Sequence, residues 1–121
     1  MKRTFSLLSL FLFISFAFAQ TQLGSDIDGE SSGDKSGYSV SMNSAGDRVA
    51  IGAIYNDGNA ANAGHVRVYD LVNGSWTQVG EDIDGEANND NSGTSVSMNS
   101  AGDRVAIGAI YYDGNGSDAG H

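Results

Sequence analysis

Hydrophobic and polar residues alternate along much of this chain, and the alternation breaks at clusters of turn formers. Tyr38, Val40 and Met42 interleave with Ser39, Ser41 and Asn43, the period-2 pattern of a half-buried strand at residues 38–42. The turn-rich run Asn43-Ser44-Ala45-Gly46-Asp47 links it to the next segment. Over residues 48–54, Val49, Ile51 and Ala53 share one face, and Ala50, Gly52 and Ile54 share the other. Both faces are apolar or small, so this strand is expected to be covered on both sides. A loop over residues 56–64 leads to a third strand at 66–71. Asn73-Gly74 then signals a tight type I′ hairpin, because both residues accept positive φ. A fourth strand is expected at 76–80, continuing toward Ile83. The four should form one antiparallel sheet in sequence order.

The opening segment follows a different pattern. Met1-Lys2-Arg3 is a short basic start, an apolar run fills residues 5–18, and Ala17-Phe18-Ala19 places small residues around one position. A spanning helix needs about 20 apolar residues; this run is shorter and carries Ser6, Ser9 and Ser15. Residues 1–19 are therefore expected to be a cleavable secretory signal, cut before Gln20, with no membrane insertion afterwards.

The pattern also repeats. Residues 21–65 match residues 77–121 at a constant offset of 56, with 34 of 45 positions identical. A fixed period of this size is the mark of stacked supersecondary units. Four antiparallel strands per unit, with an inner strand covered on both faces, describe a β-propeller blade. Gly52, Ala53, Gly108 and Ala109 are small enough to let neighbouring blades approach. The expected fold is all-β: four-stranded antiparallel blades of a β-propeller, present as an incomplete fragment. Residues 20–36 form an outer, latching strand and loop, residues 37–92 a first blade, and residues 93–121 a truncated second. Two repeats fall short of the four to eight blades that close a propeller, which points to a piece of a longer protein. Assembly of two or more chains into a ring is the alternative.

Three sequence blocks carry a resemblance to a known family. Gly37-Tyr-Ser-Val-Ser, then Gly46-Asp47-Arg-Val-Ala-Ile-Gly52-Ala53, then Ala63-Gly64-His-Val-Arg-Val-Tyr69 resemble the FG-GAP repeat. That family builds the seven-bladed propeller of integrin α-subunits and occurs in many bacterial surface and secreted proteins. The resemblance spans residues 21–121 in both copies. Ser36 and Ser92 stand where the family has phenylalanine, and Gly52-Ala53-Ile54 and Gly108-Ala109-Ile110 lack its proline. Its calcium loop is shortened here to Asn43-Ser-Ala-Gly-Asp47 with a single carboxylate, so the family's calcium site does not carry over. The chain looks like the short-loop bacterial variant.

Charge and residue types narrow the chemistry. Without residues 1–19 the chain holds four Lys/Arg against fifteen Asp/Glu, a net charge of −11. Nucleic acid and anionic lipid are excluded as expected partners, because phosphate binding depends on clustered Lys/Arg. With no cysteine there is neither a disulfide framework nor a thiolate zinc site. Asp57-Gly58-Asn59 recurs as Asp113-Gly114-Asn115, joined by Asp118. These oxygens are the candidate Ca²⁺ ligands, although Asp, Gly and Asn are also the best turn residues, and the turn role is preferred. Asp26-Ile-Asp28-Gly29-Glu30 and its repeat at Asp82 to Glu86 carry the same ambiguity. Ser41, His65 and Asp70 are triad types without a nucleophile elbow, and nearly every candidate has a twin in the other repeat, so no catalytic residue is expected. Tyr38, Tyr55, Tyr69, Trp76, Tyr111 and Tyr112 are expected to pack between blades, with a sugar-binding face as the alternative. The functional expectation is an exported, non-catalytic scaffold for extracellular binding or adhesion, contacting a protein or polysaccharide. A non-catalytic propeller portion of a larger secreted enzyme, such as a hydrolase, is the runner-up. No cofactor beyond a possible calcium ion is implied.

Overall fold

The computed structural model describes residues 19–121; the expected signal segment, apart from Ala19, lies outside the described residues. Seven strands follow in order: β1 (Ser36–Met42), β2 (Arg48–Ala53), β3 (His65–Val72), β4 (Ser75–Gln78), β5 (Ile83–Asp84), β6 (Ser92–Met98) and β7 (Val105–Ala109). Among the described residues there is no helix, and no helix is long and apolar enough to cross a membrane. The first five strands make one antiparallel sheet ordered β1-β2-β3-β4, with β5 also on β3; β6 and β7 make a second. Neither sheet closes into a barrel.

The predicted order of the first sheet is the observed one, and local chemistry explains its joints. Asn73 (φ 50°) and Gly74 (φ 78°) both take the left-handed conformation that a type I′ turn requires, seating Val72 opposite Ser75. The predicted fourth strand is split. Tyr69 pairs with Gln78, but His65 pairs with Asp84, so two extra residues bulge between β4 and β5. Gly80 (φ 73°) turns that bulge. A second irregularity sits in β1, between Ser36 and Ser39, and recurs in β6 between Ser92 and Ser95. There Gly37 and Gly93 hold φ of 86° and 88°.

The two sheets stack, β6 lying across β1 and β2. Alternation gives each of the hairpins β1–β2 and β6–β7 a face of mostly small residues and a face of large ones. Ala50, on the small face of the first hairpin, and Val66, beside that face on β3, are both fully buried, and Met98 meets them from the second sheet. Val68, Val96, Val105 and Ile107 complete the core. Gly52 sits where the backbones come closest: a Cβ there would run into the Gly93 carbonyl. Hydrogen bonds stitch the crossing. Ser39 Oγ donates to Gly93 O at 2.6 Å, Met98 N to Ser41 Oγ at 2.9 Å, and the Arg48 guanidinium to Gly102 O at 2.9 Å. Ser44 donates to Ser100 O through both its backbone N and its Oγ, each at 3.0 Å.

One expectation fails. Residues 20–36 were expected to hold an outer strand, yet no strand precedes Ser36 among the described residues. A strand needs a ladder partner, and the twin segment at β4 and β5 has β3 beside it, whereas nothing equivalent lies beside residues 20–35. That segment instead crosses Trp76, whose Nε1 donates to Leu23 O at 3.0 Å.

Candidate functional site

The most elaborate polar cluster gathers Glu30, His65, Arg67 and Asp82. His65 and Arg67 lie two apart on β3 and so project from the same face. Asp82 arrives from the bulge between β4 and β5, and Glu30 from the irregular segment before β1. Arg67 grips Asp82 in a fork, Nε to Oδ1 and Nη2 to Oδ2 at 2.7 Å each, and its Nη2 also donates to Glu30. Gln78 Nε2 adds a 2.7 Å bond to Asp82 Oδ1. Such planar, charge-assisted pairing is the strongest geometry available to these groups. Hydrogen bonding to Arg67 holds both carboxyls below their ordinary values, against the opposing effect of burial.

His65 is the unspent group in this cluster. It is 4% exposed, its Nδ1 has no hydrogen-bond partner, and Asp82 Oδ2 stands 3.6 Å away. Glu30, His65 and Asp82 offer three ligand atoms within 4.8 Å of one another, a nitrogen-and-oxygen set that suits a divalent transition metal. Arg67 already supplies positive charge at both carboxylates, so a cation there would have to displace it.

A polar cleft of about 500 Å³ adjoins the cluster through Glu30 and is lined further by Ser31, Ser32, Asp34, Asn56, Asp57 and Gly58. Asn56 Nδ2 bridges two of its three acids, donating to Asp34 at 2.8 Å and to Glu30 at 3.1 Å. Asp34 and Asn56 are buried, which fixes this wall. The cleft offers hydroxyls, carboxylates and an amide, with no cation among its lining residues.

The residues singled out from sequence divide. Asp57 Oδ1 accepts the Asn62 backbone N–H at 2.7 Å, and Asp113 Oδ1 accepts that of Asp118 at 2.7 Å; both carboxylates close their own loops. Asn59 Nδ2 donates to Gly85 O at 2.8 Å, away from Asp57. Asn115 and Asp118 lie exposed in the last loop. Asp26 accepts from Gln22, and its repeat equivalent is the buttressed Asp82. Ser41, His65 and Asp70 do not assemble. Ser41 lies across from Ala50 and Val68, on the face opposite His65, and Asp70 is forked to Arg48, with Nη2 to Oδ2 at 2.7 Å. The aromatics go separate ways: Lys35 sits 5.4 Å over the Tyr55 ring, Tyr112 meets His121 at a tilt of 49° with ring centroids 3.9 Å apart, and Tyr38 is exposed. The Glu30–Arg67–Asp82 network escaped the sequence reading. Its one legible signal was His65 and Arg67 at strand spacing, two basic side chains on one face of β3.

Compared with known proteins, the chain matches no family model, no curated protein and no solved structure.

Proposed function

We propose that the two stacked sheets are neighbouring blades of an FG-GAP-like β-propeller, and that the chain is an exported, non-catalytic scaffold for extracellular binding or adhesion. The observation that supports this most is the repetition of one hairpin in one register. Ser36↔Ala53 through Met42↔Val49 recurs as Ser92↔Ala109 through Met98↔Val105, bulge included, with the second hairpin packed across the first. Stacked units of this kind leave their connecting loops free to vary, and loops on a rigid scaffold are where binding concentrates. The partner we favour is a polysaccharide or an extracellular protein met at the cleft beside Glu30. The Ser31 and Ser32 hydroxyls in its lining suit the hydroxyls of a sugar. Calcium has no part in this reading, because Asp57 and Asp113 are engaged with their own backbones.

Expression in a secreting host tests the reading. The exported protein should begin at Gln20 by mass spectrometry. It should bind members of an immobilised polysaccharide and matrix-protein array, and Ser31→Ala with Ser32→Ala should weaken that binding at least tenfold. An intact Met1 terminus would remove the export claim. Hydrolysis of ester or glycoside substrates that disappears in His65→Ala would remove the non-catalytic one.

A further inference from the structure

Each repeat has one face of large residues and one of small, and the stack inside the chain uses only one of each. The small face of the first sheet meets the large face of the second, leaving the first sheet's large face and the second sheet's small face open. On the open large face Tyr38, Val40 and Met42 of β1 are 55%, 61% and 49% exposed, while beside them in the ladder Ile51 is half-buried and Val49 is already buried within its own sheet. On the open small face lie Ser95, Ser97, Ala106 and Gly108. These are the repeat equivalents of Val96, Met98, Val105 and Ile107 on one side, and of Ser39, Ser41, Ala50 and Gly52 on the other. At all eight pairs the residues are identical. The two open faces therefore carry the two halves of an interface that already exists inside the chain.

We propose that the chain associates head to tail with a second copy of itself, the open β6–β7 face of one copy docking on the open β1–β2 face of the next through the contacts that join its own two sheets. The polar stitching transfers residue by residue. Ser39 Oγ to Gly93 O becomes Ser95 Oγ to Gly37 O, and Met98 N to Ser41 Oγ becomes Met42 N to Ser97 Oγ. Arg48 to Gly102 O becomes Arg104 to Gly46 O. Arg104 is exposed and has no salt bridge among the described residues, so it is free to make that bond. Gly37, like Gly93, holds a strongly positive φ, and its carbonyl is thus placed as the Gly93 carbonyl is. The second sheet has two strands and brings no counterpart of Val66 or Val68, so contact between copies is weaker than contact within one. Because the two surfaces differ, the contact is heterologous and adds copies in one direction, closing into a ring or running on as a filament. It stands whether or not the loops bind an extracellular ligand.

Two substitutions on the open faces, away from the internal stack, give the test. Val40→Glu blocks the large face and Ala106→Glu the small one. In sedimentation equilibrium the unsubstituted chain should gain mass with concentration, and each variant alone should stay at the mass of one chain. An equimolar mixture should form a two-chain complex and stop there, because the remaining pair of faces is blocked on both sides. A single-chain mass for the unsubstituted protein at every concentration would overturn the proposal. So would self-association of either variant alone, the result expected for pairing through strand edges or through two like faces, or a mixture that stays monomeric. If a glutamate variant loses its β-sheet circular dichroism, Val40→Ser and Gly108→Ala probe the same faces, and each should still reduce association.

Discussion

Gly52 and Gly108 occupy the same place in the same run, Arg-Val-Ala-Ile-Gly-Ala-Ile, but only Gly52 lies under another sheet. A Cβ at Gly52 would meet the Gly93 carbonyl, with the carbonyl carbon at 3.1 Å and Ser39 Oγ at 2.5 Å. The Ser39 hydroxyl is held by its own bond to Gly93 O, so neither neighbour yields without parting the sheets. Overpacking of this kind costs about 1–3 kcal/mol. At Gly108 the close neighbour is the side-chain oxygen of Ser95, again at 2.5 Å, which can rotate away. Removing a strand glycine also relieves roughly 0.5–1 kcal/mol of conformational cost at either site. Gly52→Ala should therefore destabilise the chain while Gly108→Ala leaves it unchanged or slightly more stable. For a domain of this size each kcal/mol moves Tm by about 4–8 °C. Thermal melts followed by circular dichroism, at concentrations low enough to keep chains apart, would measure the difference. Equal shifts for the two variants would mean that the sheets do not stack through Gly52 and Gly93.

Arg67→Ala should destabilise the fold by roughly 1–2 kcal/mol, a partly screened value because Glu30 is exposed. It should also flatten the acid limb of the stability profile. Asp82 and Glu30 have folded-state pKa values depressed below 3.8 and 4.5, so the unfolded chain binds more protons there. Their stabilisation is complete above about pH 4.5 and is lost as the pH falls through the depressed values; urea titrations between pH 2 and 7 would show a slope in the parent that the variant lacks. Millimolar Ca²⁺ should leave Tm nearly unmoved, whereas a site filled at 100 times its dissociation constant would add about 2.7 kcal/mol, and a rise of several degrees would overturn the turn-forming role given to Asp57 and Asp113.

The order β1-β2-β3-β4 was legible because each signal was local: serine alternating with large residues, a turn cluster at residues 43–47, and Asn73-Gly74. The stack of one repeat on the other was legible in outline, since the inner strand is apolar on both faces, although the second sheet covers only its Ala50–Gly52 face. What escaped was decided between distant segments. The split between β4 and β5 depends on how the chain re-enters beside His65, and nothing in residues 79–82 beyond Gly80 announces it. The segment before Ser36 has the composition of its twin but not the neighbour, and strand formation belongs to the pair rather than to the sequence. The Glu30–Arg67–Asp82 network failed for the same reason, its members being 37 and 15 residues apart. The candidate Ca²⁺ ligands, for which the turn role was preferred, were the reverse case, where the local turn chemistry of Asp57 and Asp113 suffices.

The identity of residues 39–55 with residues 95–111 also sets a problem for the chain as it folds. β2 finds two equivalent suitors, β1 and β6, whose sequences from Ser39 to Met42 and from Ser95 to Met98 do not differ. Side-chain chemistry cannot choose between them, so the choice falls to chain entropy. Native pairing closes the five-residue turn at residues 43–47, whereas the misregistered partner closes a loop of 38 residues, 54–91. With closure cost growing as three-halves of RT ln n, the nearer strand is favoured by about 1.8 kcal/mol, roughly twentyfold. Fidelity of folding in this duplicated sequence thus rests on the shortness of one turn, and lengthening it would let the wrong twin compete.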